Sequence, residues 1–198
     1  MKVLVACEFS GIVREAFKAK GHDAWSCDLL PTEIPGNHYQ GNIYNIFCNW
    51  NLIGGVPDII IAHPVCTRRA NSGVRWLKYN IERMKQLRVD DTMFNDILNL
   101  SVSKICIENP IPNKYSKIPK YTQIIQPWQF GEDASKATCL WLKGLPRLVP
   151  TNIIKKNRYS NQTPSGQNNL PPSAHRAKDR SRTYQGIAEA MADQWGTL

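Results

Sequence analysis

Apolar residues in this chain fall into short, mostly β-branched runs separated by amphipathic or loop-like stretches. Lys2–Cys7 is a Val-rich run closed by Glu-Phe-Ser-Gly, which predicts a strand and then a turn. Ser10 is placed to cap a helix whose apolar face carries Ile12, Val13, Ala16, Phe17 and Ala19, and Gly21 ends it. Asp23–Cys27 predicts a second strand ending at Asp28. Leu29–Gly41, with two prolines and two glycines, reads as loop, and the short segment after it is ambiguous. The run from Pro57 to Ala62 is apolar on both faces, as a buried parallel strand requires, and ends at His63-Pro64. Helical spacing of Ile81, Met84, Leu87, Phe94, Ile97 and Leu98 predicts a helix from Trp76 to about Leu100, with a break expected in its polar centre, Arg88–Thr92. Lys104–Ile107 is the next buried strand, closed by Glu108-Asn109-Pro110.

Past Ile111 the alternation of strand and helix fails. Thr122–Phe130 and Thr138–Leu142 predict strands, antiparallel to one another, and residues 150–180, rich in Asn, Ser, Pro and Gln, predict a long mobile loop. An amphipathic helix closes the chain from about Tyr184 to Trp195. The opening β-α-β unit and the strands that follow predict an α/β, Rossmann-like fold. The expected organisation is a core over 1–110, a basic, partly irregular subdomain over 111–182 facing substrate, and a helix over 183–198 packing back on the core.

Composition narrows the function classes. The chain has 198 residues, 42% apolar and 21% charged, the make-up of a soluble globular domain. No apolar run approaches the roughly 20 residues that span a bilayer, and Glu8 interrupts the N-terminal run too early for a signal peptide, so a cytoplasmic location without membrane contact is expected. Six cysteines without a C-x-x-C pair argue against a zinc site or a disulfide framework, and His63 has no second ligand at metal spacing. Charge is confined: residues 110–182 carry 13 Lys/Arg against 3 Asp/Glu, whereas residues 1–109 carry 12 against 11. That basic stretch, interleaved with Tyr115, Tyr121, Trp128, Trp141 and Tyr159, suits a polyanion such as nucleic acid.

Ligands in open α/β sheets bind at the carboxyl ends of the strands. Four chemically suggestive clusters fall at such ends: Glu8-Phe9-Ser10-Gly11, Asp28, His63-Pro64-Val65-Cys66 and Glu108-Asn109-Pro110. A single glycine in the first cluster leaves dinucleotide binding without its G-x-G-x-x-G fingerprint. A carboxylate at the end of the second strand, Asp28, can accept hydrogen bonds from ribose hydroxyls, or serve as an ordinary turn residue.

These motifs, in the order Ala6-Cys-Glu-Phe-Ser-Gly-Ile-Val-Arg-Glu-Ala-Phe17, Asp28, Ile59-Ile-Ile-Ala-His-Pro-Val-Cys66 and Ile107-Glu-Asn-Pro110, resemble the DNA cytosine-5 methyltransferases, and more closely their short phage-associated relatives. Pro119–Phe130, Cys139–Gly144 and Arg180-Ser-Arg-Thr183 share the likeness, which is weakest over Pro150–Pro172. The resemblance implies a Rossmann-like S-adenosylmethionine-dependent methyltransferase fold, with S-adenosylmethionine as cofactor and DNA as partner, in host cytoplasm if phage-encoded. Cys66 matches the catalytic thiol that adds to C6 of cytosine, and Glu108 the carboxyl group that engages ring N3. Glu8, Phe9, Ser10, Gly11, Asp28, Asn42 and Pro64 would line the cofactor site. Arg68, Arg69, Asn109, Arg180 and Arg182 would face substrate, and a base within a duplex would have to be flipped out.

The sequence also departs from that pattern. Val65 stands where proline is usual, Arg68-Arg69 where an aromatic or apolar pair is expected, and Asn42 where an Asp contacts the adenine amine. The two arginines would lower the Cys66 pKa, or else grip a phosphate. Two other readings stay open: a catalytically degenerate member of the fold that binds nucleic acid, a nucleotide or a host protein, and an amino-methyltransferase. The second lacks the acidic or amide head and the aromatic tail of its motif.

Overall fold

The structure, a computed structural model, describes residues 1–71, 74–165 and 176–198, the side chains of Arg176 and Ala177 excepted. In chain order its elements are β1 (Lys2–Ala6), α1 (Ile12–Ala19), β2 (Asp23–Asp28), β3 (His38–Gln40), α2 (Ile43–Cys48), β4 (Ile59–Ala62), α3 (Val74–Leu77), α4 (Ile81–Asn99), β5 (Lys104–Pro110), β6 (Gln123–Ile125), β7 (Thr138–Lys143), α5 (Arg176–Ser181) and α6 (Gln185–Trp195). Short 3-10 turns occupy Trp50–Ile53 and Pro127–Gln129.

Among the described residues seven strands form one sheet in the order β3-β2-β1-β4-β5-β7-β6. β3, β2, β1, β4 and β5 pair in parallel, whereas β7 runs antiparallel to β5 and to β6. This is the doubly wound order 3-2-1-4-5-6 with one antiparallel strand inserted before the last. The basic segment therefore supplies two strands of the same sheet. Successive side chains of a strand point to opposite faces, so each apolar run feeds two cores. Val3, Val5, Ile59, Ile61, Cys106 and Leu140 pack with Val13 and Phe17 of α1 and Met191 and Trp195 of α6. Leu4, Ile60, Ile105, Ile107, Cys139 and Trp141 pack with Ile46 of α2 and Phe94 and Ile97 of α4. The fully buried Ile59, Ile60 and Ile61 contribute about 1.5–3 kcal/mol each.

Several expectations need correction. α1 is capped by Gly11, at φ 77, and not by Ser10. The predicted loop 29–41 contains β3, a three-residue polar edge strand too short to show alternation, and the ambiguous segment after it forms α2 and a 3-10 turn. The long helix breaks at 78–80, where Asn80 restarts it by accepting from the Arg83 N–H at 2.8 Å; Arg88–Thr92 is continuous helix. Glu108, Asn109 and Pro110 do not close β5 but extend it, paired with Leu140, Cys139 and Thr138. Only Gln123–Ile125 of the predicted strand 122–130 is strand, because Pro127 begins a 3-10 turn. Within the predicted loop 150–180, residues 150–165 form no helix or strand, α5 is helical at the far end, and 166–175 lie outside the described residues.

Candidate active site

Strand register brings the clusters together. Ala6 lies opposite both Cys27 and Ala62, and Ala62 opposite Ile107, so the next residues, Cys7, Asp28, His63 and Glu108, follow side by side across four strands. Neighbouring strands stand about 4.8 Å apart, which makes this row a single ligand-sized rim. Cys7 itself has φ 59, a left-handed conformation that costs a non-glycine residue about 1–2 kcal/mol. Such strain concentrates where a strand end is shaped for a ligand.

One half of the rim is built on β4 and β5. His63 Nδ1–H donates to Glu108 Oε2 at 2.8 Å; the carboxylate can only accept, which fixes the donor. Burial would raise the Glu108 carboxyl, but the His63 hydrogen bond and the charge of Lys136 outweigh it and hold the group below its ordinary value. The other imidazole nitrogen, Nε2, is buried and has no hydrogen-bond partner among the described residues. Cys66, four residues past the end of β4, is partly buried. Burial and the nearby Glu108 push its thiol up, against the opposing charges of Lys136 and Arg69.

The arginine pair does not act as expected. Arg68 donates to both oxygens of Asp90 at 2.7 and 2.8 Å. Arg69 is 0% exposed and donates to Asp91 at 3.4 Å, to the carbonyls of Val65 and Asp90, and to Asn109 Oδ1 at 2.8 Å, with Phe94 against its guanidinium plane. Neither gives a net lowering of the Cys66 pKa, and Arg69 faces no solvent. Asn109 is buried too, its amide donating to the carbonyls of Pro64 and Glu108. Asn113 completes the lock by donating to the carbonyls of Arg68 and Arg69. Arg69 and Asn109 thus position the Pro64–Ala70 loop from within.

The other half of the rim lies on β1 and β2. Glu8 accepts from the N–H groups of Val13 and Arg14 at 2.7 and 3.2 Å and from Ser10 Oγ, so it caps α1. Burial pushes its carboxyl up against the pull of His63 and those N–H groups. Gly11 cannot be replaced cheaply: besides its φ, an added Cβ would meet Arg14 Nη2 at 2.8 Å. Asp28 Oδ1 accepts from the Leu30 N–H at 2.9 Å, and among the described residues no hydrogen bond engages Oδ2. Asn42 caps α2 by accepting from the Tyr44 N–H. Phe9 is buried beneath Lys178 of α5, 5.0 Å from its ring centre. Arg182 makes a two-pronged bond to Glu33, whose carboxyl that bond drives down to about 2, while Arg180 is exposed. A small cavity remains between the halves, lined by Cys7, Glu8, Ser10, His63, Ser181 and Thr183.

A search of solved structures finds a protein described as a DNA modification methyltransferase encoded within an E. coli prophage, at TM-score 0.54 and 14% identity, covering 78% of this chain and 52% of that one. The fold is that of the methyltransferases. The chain spans about half the length of that prophage protein. A second match, the Entamoeba histolytica methyltransferase EhMeth, has 16% identity and TM-score 0.41 over 83% of this chain and 63% of that one. No family model and no curated protein matches the sequence.

On this sheet the residues expected from sequence separate into four groups. Cys66, Glu108, Pro64, Asp28, Phe9, Ser10 and Gly11 stand at the strand-end rim; Glu8, Arg69 and Asn109 are engaged inside the protein; Arg68 and Arg182 are held by carboxylates; Asn42, the cap of α2, and Arg180 are exposed. Sequence reasoning missed His63 as Glu108's partner, together with Asp90, Asp91, Lys136 and Asn113. Polar residues on the buried face of a long helix were the available signal for Asp90 and Asp91. It also missed the surface at and just after α3, where Trp76 is 55% exposed beneath Arg75 and Tyr79 is 79% exposed beneath Lys78, cationic and aromatic together.

Proposed function

We propose that the chain is an S-adenosylmethionine-dependent methyltransferase acting on a nucleobase, cytosine C5 in DNA, through Cys66. One observation carries the reading: Cys66 lies in the electrostatic field of Glu108, and Glu108 stands in register with Asp28 and Cys7 at the carboxyl rim of the sheet. The rim residues fit the cofactor. Among the described residues Asp28 Oδ2 takes no hydrogen bond and could meet a ribose hydroxyl, Phe9 borders the small cavity, and the sulfonium would supply a transferable methyl group.

The residues divide the remaining work. The Cys66 thiolate adds to C6 of the flipped base, and Glu108 holds ring N3 through a proton so that charge can build at C5. Asn109 and Arg69 hold the loop that presents Cys66, through the carbonyls of Pro64 and Val65. Because burial and Glu108 disfavour the thiolate in the free protein, the Cys66 thiol gives its proton to solvent and the sulfur adds to C6 once substrate has drawn on the Glu108 charge. The excess of 13 basic over 3 acidic side chains in residues 110–182 supports phosphate contacts that position the strand without reading its sequence.

Calorimetry with S-adenosylmethionine, followed by methyl transfer to DNA, RNA and nucleotides by wild type and Cys66→Ser, tests this. Binding and Cys66-dependent transfer to DNA are expected, with covalent trapping by a 5-fluorocytosine oligonucleotide. Binding without turnover on any substrate would establish the degenerate reading instead. Turnover that survives Cys66→Ser would point to amino-methyltransferase chemistry.

A further inference from the structure

His63 occupies an unusual place in the rim. It follows β4 directly, donates through Nδ1 to Glu108 on β5, and lies in the field of Glu8, the cap of α1. Its side chain is 8% exposed, and Nε2 has no partner among the described residues. The charged groups around the pair are Glu8 from the loop after β1, Glu108 from β5 and Lys136 from the turn before β7; Cys66 and Cys7 are the neighbouring thiols. Two carboxylates bracket one imidazole. Among the described residues the ring's one hydrogen bond runs from Nδ1 to Glu108.

Glu108 by itself is poorly suited to give a base a proton, since it is held ionised. We infer that His63 is a positioning residue that aims Glu108 and stores the proton which Glu108 delivers to the ring nitrogen of the substrate base. The inference rests on the nucleobase methyltransferase reading above. In the addition step the Cys66 sulfur forms a bond to C6, and the displaced π pair moves toward C5 and the ring nitrogens. N3 takes a proton that passes from Nδ1 of the doubly protonated His63 ring across the Glu108 carboxylate, so that Glu108 ends ionised and His63 neutral. When the sulfur–C6 bond breaks after methylation, the C5 proton leaves to solvent and the N3 proton returns through Glu108 to His63. No proton is gained or lost by the pair over the cycle.

The test has one arm that needs no turnover. Nuclear magnetic resonance titration of labelled histidine, with His63 assigned through His63→Gln, should show that Glu108→Gln weakens proton binding at His63 by at least about tenfold, one unit of midpoint. An unchanged midpoint would overturn the inference even if the protein methylates DNA. In the methyl-transfer assay, His63→Gln and His63→Asn should lower kcat by about 100-fold or more, the scale of general acid–base assistance, with KM for S-adenosylmethionine within twofold. The kcat profile should lose its alkaline limb. A His63→Gln protein that melts like wild type and keeps its kcat and pH profile would also overturn it. Absence of transfer by wild type on every substrate would instead remove the functional reading, and the titration would still decide whether the two groups share a proton.

Discussion

Two arginines with fully buried side chains hold the two halves of the rim, and they do so by different means. Arg14, on the β1–β2 side, ties α1 to the β2–β3 connection through the hydroxyls of Ser26 and Thr32 and the carbonyl of Ile34, with a partly exposed Glu15 as its ionic partner. Arg69, on the β4–β5 side, pairs with Asp91, which is itself buried and also accepts from Ser116 Oγ and the Lys117 N–H at 2.7 Å. Neutral acceptors left without a donor lose one hydrogen bond each. A buried carboxylate that loses Arg69 keeps only the partly exposed Arg88, 3.2 Å from its other oxygen, to offset its charge. The β4–β5 half of the rim is thus the more costly to disturb.

That contrast can be broken by substitution. Arg69→Met should lower stability by about 3–5 kcal/mol in urea unfolding, the usual effect of removing one partner of a buried pair. Adding Asp91→Leu should recover part of the loss but not all, because Ser116 and Lys117 lose their acceptor. Arg14→Met should lower stability by about 1–3 kcal/mol, the scale for leaving buried acceptors unpaired. Equal losses for the two arginines would erase the distinction.

The smallest effect concerns reactivity. In a Cys48→Ser background, which removes the exposed thiol, alkylation of Cys66 followed by mass spectrometry should speed up with pH through a midpoint above the ordinary 9.0. Burial and the Glu108 charge both favour the protonated thiol, so the thiolate appears only at higher pH. Glu108→Gln should move the midpoint down and raise the rate at pH 8 by up to about tenfold, since one pKa unit is a factor of ten. A midpoint below 9.0 in wild type would mean that the arginines activate the thiol after all.

Much of the frame was legible from residue order. Runs such as Ile59–Ala62 and Lys104–Ile107 are apolar on both faces, and only a central parallel strand uses such a run well. The clusters at Glu8, Asp28, His63 and Glu108 were visible because each directly follows such a run. β3 escaped because three polar residues at a sheet edge have no period to detect. The roles of Arg68 and Arg69 were misjudged because two adjacent cations near a cysteine look the same in sequence whether or not carboxylates neutralise them. Those carboxylates, Asp90 and Asp91, lie 22 residues away on α4.

By itself the sequence determined the alternation of strand and helix, the concentration of positive charge in residues 110–182, and the presence of a thiol and a carboxyl group at strand ends. Local periodicity and composition carry that information. Tertiary structure decided which charges are free and which are neutralised. It made Glu8 a helix cap, Arg69 and Asn109 internal braces, and His63 the partner of Glu108. Hydrogen bonds and ion pairs depend on distances of about 3 Å between atoms from separate elements, and those distances exist only once the sheet has set its register.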